Sequence, residues 1–317
     1  MGSSFRAVHL LTTTLAVLLF AAAPAAGQDA AAQPPIDLRP QWEPGQAARY
    51  EIWSQREVLT TIEVGTRTGS GREVIETTGE ATWQVDEVNA DGSTAATMTL
   101  DWLRLRLVQE GNEQVVDSRR GGDSEAMQQL VEAMAGVPFE VELAPDGTVE
   151  AVRGVEAVRN QLPTEEMAPA ELDFIEIASE LAPLIHAPAE AEPGDTWSAE
   201  LKRTSPLGWV YHDVTWRLAG VERIAGIPVA TVVGQAKLTF EPDWSKIPSG
   251  GPELDLQMLS GETSTQVMFD LQRHEVVGRH AKQQSALEVD VDLPGQVFRR
   301  RMDETVQTQV LRLSEGE

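Results

Sequence analysis

The sequence predicts an α+β fold that is mostly antiparallel β, built as two similar β lobes from an internal duplication with two amphipathic helices packed on the sheets. Three observations carry this. Apolar and polar residues alternate with period two over most of the chain beyond Tyr50, the mark of strands with one buried face. Short glycine turns separate these runs, and short links join antiparallel strands only. A Thr-Trp pattern occurs twice with the same neighbours in the same order.

The chain opens with a signal-peptide pattern, residues 1–27. Arg6 precedes an apolar run from Ala7 to Ala23, and the small residues Ala25, Ala26 and Gly27 follow, as signal peptidase requires. The run is shorter than the roughly 20 apolar residues of a membrane-spanning helix, so cleavage is expected rather than retention. Residues 28–41, rich in Ala, Gln and Pro, are expected to form a flexible leader. The expected product is exported, periplasmic or extracellular, and soluble.

Residues 42–163 form the first predicted lobe. Thr82-Trp83-Gln84-Val85 heads one copy of the repeat, entered through Pro44-Gly45. Met98, Leu100 and Trp102 share one parity while Leu103, Leu105 and Leu107 take the other, which predicts a bulge or a strand buried on both faces. Asp91-Gly92 and Asp146-Gly147 predict two-residue hairpin turns with both central residues at positive φ. A helix is predicted over 124–135, with Asp123 or Ser124 as N-cap, Gly136 as stop, and Met127, Leu130, Val131 and Met134 on one face.

A helical connector follows at 164–190, with a helix over 169–185 whose stripe is Phe174, Ala178, Leu181 and Ile185. Residues 191–312 form the second predicted lobe. It is entered through Pro193-Gly194 and carries the second copy, Thr215-Trp216-Arg217-Leu218. Val267, Phe269 and Leu271, and Leu287, Val289, Val291 and Leu293, alternate with polar residues. Residues 313–317 are a tail.

The stretch Met134 to Val149, with its Met-bearing helix end, the Phe139-Glu140-Val141-Glu142-Leu143 strand and the Asp146-Gly147 turn, resembles an uncharacterised family of exported bacterial β-rich proteins. The Pro193-Gly194-Asp195-x-Trp197 entry is similar to that family as well, over roughly 44–312. The resemblance implies no reaction and no functional residues. A weaker similarity, of architecture alone, is to periplasmic lipoprotein carriers, in which a sheet wraps helices over an apolar groove.

Composition excludes several functions. There is no cysteine, hence no disulfide, thiolate metal site or lipid anchor, and stability rests on the core alone. The formal net charge is −25, a field that repels phosphate backbones and anionic headgroups, so no nucleic-acid partner is expected. Arg299 to Arg301 lie in an alternating segment and fit a solvated strand face. His212-Asp213 has a triad flavour but no Gly-x-Ser-x-Gly elbow accompanies it. His274 and His280 lack metal-ligand spacing, and the Asn89–Gly92 stretch lacks the twelfth-position Glu of a calcium loop. No catalytic, cofactor or metal residue is assigned, and enzymatic activity is not expected.

The function expected is therefore non-enzymatic binding of an apolar small molecule or lipid in a groove between sheet and helices, lined by Met127, Leu130, Met134, Phe174, Leu181 and Ile185. The alternative is a structural or protein-interaction module with a filled core. Trp83 and Trp216 fit the core by their recurrence, whereas Trp209 and Trp244, beside Pro and Gly loops, are open between core and binding platform.

Overall fold

The computed structural model describes residues 35–162, 171–182, 186–205, 208–246, 254–293 and 296–313. All thirteen described strands belong to one antiparallel sheet. In chain order they are β1 (Ala47–Val64), β2 (Arg67–Val88), β3 (Thr94–Gln109), β4 (Asn112–Asp117), β5 (Gly121–Gly122), β6 (Pro138–Leu143) and β7 (Val149–Arg153). The second half holds β8 (Thr196–Ser205), β9 (Gly208–Ile224), β10 (Ile227–Pro242), β11 (Leu254–Asp270), β12 (Glu275–Leu293) and β13 (Gln296–Arg312). Helices α1 (Glu125–Met134), α2 (Val155–Arg159) and α3 (Glu171–Leu181) complete the described elements.

The two halves are one sheet. Its spatial order is β5-β4-β3-β2-β1-β13-β12-β11-β10-β9-β8, with β6 on the other part of the β3 edge and β7 beyond it. The last strand returns to the first, β13 pairing with β1 from Tyr50↔Arg312 to Val64↔Phe298. That pairing satisfies the backbone groups of two long strands that would otherwise be open edges. With 22 residues in β2 and 18 in β1, such strands run roughly 60–70 Å.

The predicted phase change in β3 is a bulge. Glu80 pairs with Trp102 but Ala81 with Leu100, so Asp101 is the extra residue, and Thr82 Oγ1 donates to its carboxylate at 2.7 Å. Helix α1 starts at the predicted Ser124 cap, whose Oγ accepts from the Met127 amide. It ends where the Gly136 amide, at φ +78°, donates to Leu100 of β3.

The Asp-Gly turns differ from expectation. Only Gly92 and Gly147 have positive φ, and each donates to the carbonyl three residues back, Asn89 and Ala144. Each is thus a type I turn closed by a left-handed glycine, not a two-residue turn. The turns with both central residues left-handed are Glu110-Gly111 and Ala225-Gly226, where the flanking strands impose the geometry on residues without turn preference.

The leader also differs. Ile36 exchanges two backbone hydrogen bonds with Ala191, and Leu38 is fully buried, so residues 36–38 are docked on the second half. Two apolar side chains spaced two apart suit an extended segment laid on a core. Burial separates into two clusters. One gathers β1–β4, β6 and β7 under α1–α3, with Trp83, Met98, Phe139 and Leu181. The other holds Trp216, Leu218, Val267 and Phe269 with Leu38 and Ala191.

Candidate functional site

The cleft arises from what one sheet face carries across neighbouring strands. In the first half, one cross-strand row runs Ala48–Trp83–Met98–Phe139, all buried. In the second half the matching tryptophan sits in the row Trp197–Trp216–Gly234–Thr265–Ala281–Thr308. The next row reads Val214–Ala236–Thr263–Gln283–Val306. Methionine and phenylalanine fill the space beside Trp83, whereas glycine, alanine and threonine stand beside Trp216. Glycine and alanine are depleted from strand interiors, and all three residues leave more of the face unpacked than methionine or phenylalanine would.

The resulting cleft has a cavity volume of about 90 Å³ and is open to solvent, and the C-terminal end of α3 walls it with Ser179 and Glu180. Gly234 has a definite role. A Cβ there would lie 2.5 Å from two carbons of the Trp216 ring, so the glycine lets that ring lie over β10. The opposite sheet face carries exposed Gln235, Lys237, Glu262, Ser264, Gln266 and Lys282, which alternation places towards water.

Arg279 of β12 fixes the α3 wall. Its guanidinium donates to the carbonyls of Ser179 and Ala182 and lies 3.9 Å from the Glu180 carboxylate, itself bonded by Thr308 Oγ1 at 3.3 Å. A cation capping the last carbonyls satisfies groups that a helix leaves unbonded and complements its dipole. Beyond this lies a buried ionic pair, Glu275 at 2% exposure with Arg312 Nη1 2.5 Å from Oε1. Burial pushes the Glu275 carboxyl above the usual carboxylate range, against the opposing pull of Arg312. Burial likewise raises the Tyr50 hydroxyl, with the Glu275 charge adding to it.

The predicted groove residues are placed elsewhere. Leu181 is buried in the first core, with Met127 and Met134 packed against that core and Leu130 half-buried. None of these four lines the cleft. The Phe174 side chain and Ile185 lie outside the described residues. The face of α3 that matters to the cleft is the neighbouring one, Ser179 and Glu180, which the apolar stripe passes over. Period-two runs of Gly, Ala and Thr in β10 and β11 are the available signal, meaningful only once register aligns them.

His212 faces the cleft and Asp213 the exposed side, since successive strand residues point oppositely, so they form no catalytic pair. His274 occupies the β11–β12 turn at φ +52°, with Nδ1 3.3 Å from the Arg39 carbonyl oxygen, while His280 is exposed on β12. Trp209 has the Lys202 ammonium 4.1 Å from its ring centroid, and Trp244 is 55% exposed. Among the described residues, no group of three or more His, Asp or Glu is placed to hold a metal ion, and no helix is long and apolar enough to cross a membrane.

No curated protein matches the chain. Among solved structures, one described as lipid-protein interactions in lipovitellin has 9% identity and a TM-score of 0.47, over 86% of this chain and 26% of that one. The chain thus spans about a quarter of that relative's length. The COG4313 outer membrane channel of Pseudomonas putida F1 has 6% identity and a TM-score of 0.22, over 87% and 98% of the two chains. A DUF1329 family protein of Desulfovibrio piger has 10% identity and a TM-score of 0.14, over 79% and 83%. None of these likenesses bears on function. Residues 91–173, from the Asp91-Gly92 turn through β3, α1 and the β6–β7 hairpin into α3, match a family of unknown function (DUF6263), and the match contains the Met134–Val149 stretch on which the resemblance was read.

Proposed function

We propose that this chain is a non-catalytic, exported binding protein that holds an amphipathic small molecule in the cleft between α3 and strands β9–β13. One observation carries the reading: the middle of a wide sheet presents Gly234, Ala236, Thr265 and Ala281 where the other half presents filled core. The lining joins Leu201, Val214, Trp216 and Val306 to hydroxyl and amide groups, the mixture of apolar wall and polar groups that an amphipathic ligand meets. A structural module with a filled core would have no use for that gap.

Ala281→Phe is the test, because the new ring would project into the cleft. The wild-type protein should co-purify with an organic-extractable molecule, or bind a neutral fluorescent amphiphile saturably. Ala281→Phe should abolish this while keeping a cooperative melt. Empty extracts and no saturable binding in the wild type would return the protein to the interaction-module reading.

Export rests on the Arg6, Ala7–Ala23 and Ala25–Gly27 pattern. Mass spectrometry of the secreted chain should give an N-terminus near Gln28; a product retaining Met1 in the membrane would refute it. We infer an internal duplication as well. Its support is that β1-β2-β3-β6-β7 and β8-β9-β10-β11-β12 follow the same pairing order. In addition, Gly45 bonds to Val85 as Gly194 bonds to Leu218, each two residues beyond the tryptophan. Folding of 191–312 on its own would support two units of common origin, and its failure to fold would weigh against them.

A further inference from the structure

Charge in the cleft narrows the ligand further than shape does. Among the described lining residues three ionise, Glu180 of α3, Arg279 of β12 and His212 of β9. Arg279 is committed: its guanidinium holds the carbonyls of Ser179 and Ala182, with Glu180 beside it. An anionic headgroup beside that cation would compete with the Ser179 and Ala182 carbonyls for its donors. It would also sit against the Glu180 carboxylate and the negative end of the helix dipole. The whole-protein charge of −25 adds to the opposition. A carboxylate or phosphate brought out of water without a cation of its own is strongly disfavoured. The remaining polar groups, which include Ser179, Thr263, Thr265, Thr308 and Gln283, are neutral donors and acceptors suited to hydroxyl or ester oxygens. The buried Trp216 wall, with Nε1 lacking a hydrogen-bond partner, is one more neutral donor in the same lining.

We propose that the cleft selects an uncharged amphiphile with a hydroxyl- or ester-bearing head and discriminates against an anionic amphiphile of the same chain. The proposal rests on the binding reading above and deepens it.

The full exported chain, loaded with the neutral probe N-phenyl-1-naphthylamine, is challenged with 1-monooleoylglycerol and with oleate, which share one acyl chain. The assay is run near pH 8, above the ordinary imidazole range. The monoglyceride should displace the probe at concentrations at least about tenfold lower than oleate, a difference of roughly 1.4 kcal/mol. Glu180→Gln keeps an acceptor for Thr308 and removes the carboxylate charge. It should improve oleate about tenfold relative to the monoglyceride, closing the gap. Equal displacement by the two ligands in the wild type overturns the proposal even if the variant does not fold. An unchanged ratio in a folded Glu180→Gln protein does the same. Failure of the probe and both ligands to bind would instead overturn the binding reading itself.

Discussion

Trp83→Ala is expected to lower the unfolding free energy by about 3–5 kcal/mol, the cost of emptying a large aromatic site in a core that collapses only partly. Trp83 is 2% exposed, stacks on Trp42 at 6.4 Å between ring centroids, and lies in a row whose other members are buried. Trp216→Ala should cost less, because one side of that ring borders the cleft and water can enter the space. Urea denaturation of the two variants measures both. A Trp83→Ala cost below about 1 kcal/mol, the level of ordinary surface changes, would mean that this row does not anchor the first half.

The second large effect is expected at Arg312→Met. Among the described residues, the substitution leaves buried Glu275 with Arg273, 53% exposed and 3.9 Å away, as its ion-pair partner. Breaking a buried pair in this way costs about 3–5 kcal/mol at neutral pH, since the remaining charge is stranded. The pH dependence has a definite sign. Glu275 already has a raised pKa in the folded protein, so its contribution to stability is fully present below the ordinary glutamate value and lost as pH rises through the folded value. Without Arg312 the folded value climbs further, because burial is no longer opposed. The penalty should therefore be largest near pH 8 and shrink towards pH 5, where protonation relieves it. Comparing denaturation midpoints of wild type and variant at the two pH values decides this. A penalty independent of pH would show that Glu275 is not the group responsible, and Glu275→Gln should flatten the difference.

Several elements were legible before any coordinates. The alternation of Phe139, Val141 and Leu143 placed all three in the core, because a strand with one wet face allows no other orientation. The phase change in β3 located the Asp101 bulge, and Ser124 began α1 where its hydroxyl caps the first turn. The five-residue α2 was not legible, since one turn and a half carries too little periodicity to register. Nor were the Glu110-Gly111 and Ala225-Gly226 turns, whose left-handed residues are dictated by strand pairing rather than by side-chain preference. The helix stripes suggest a groove lining, but their described residues Met127, Met134 and Leu181 lie in or against the first core, because apolar helix faces pack on core, and the open space lies past the edge of α3.

The sequence by itself determined the strand character of the chain, its caps and bulge, and the inward direction of Trp83 and Trp216, because these depend on neighbours within a few residues. Only the tertiary structure decided that β13 returns to β1 and merges both halves into one sheet. It alone decided that glycine, alanine and threonine from four strands fall side by side beneath α3. A cleft is a deficit of volume summed over residues as far apart in the chain as Ser179 and Thr308, and no local pattern records a sum that register and docking create.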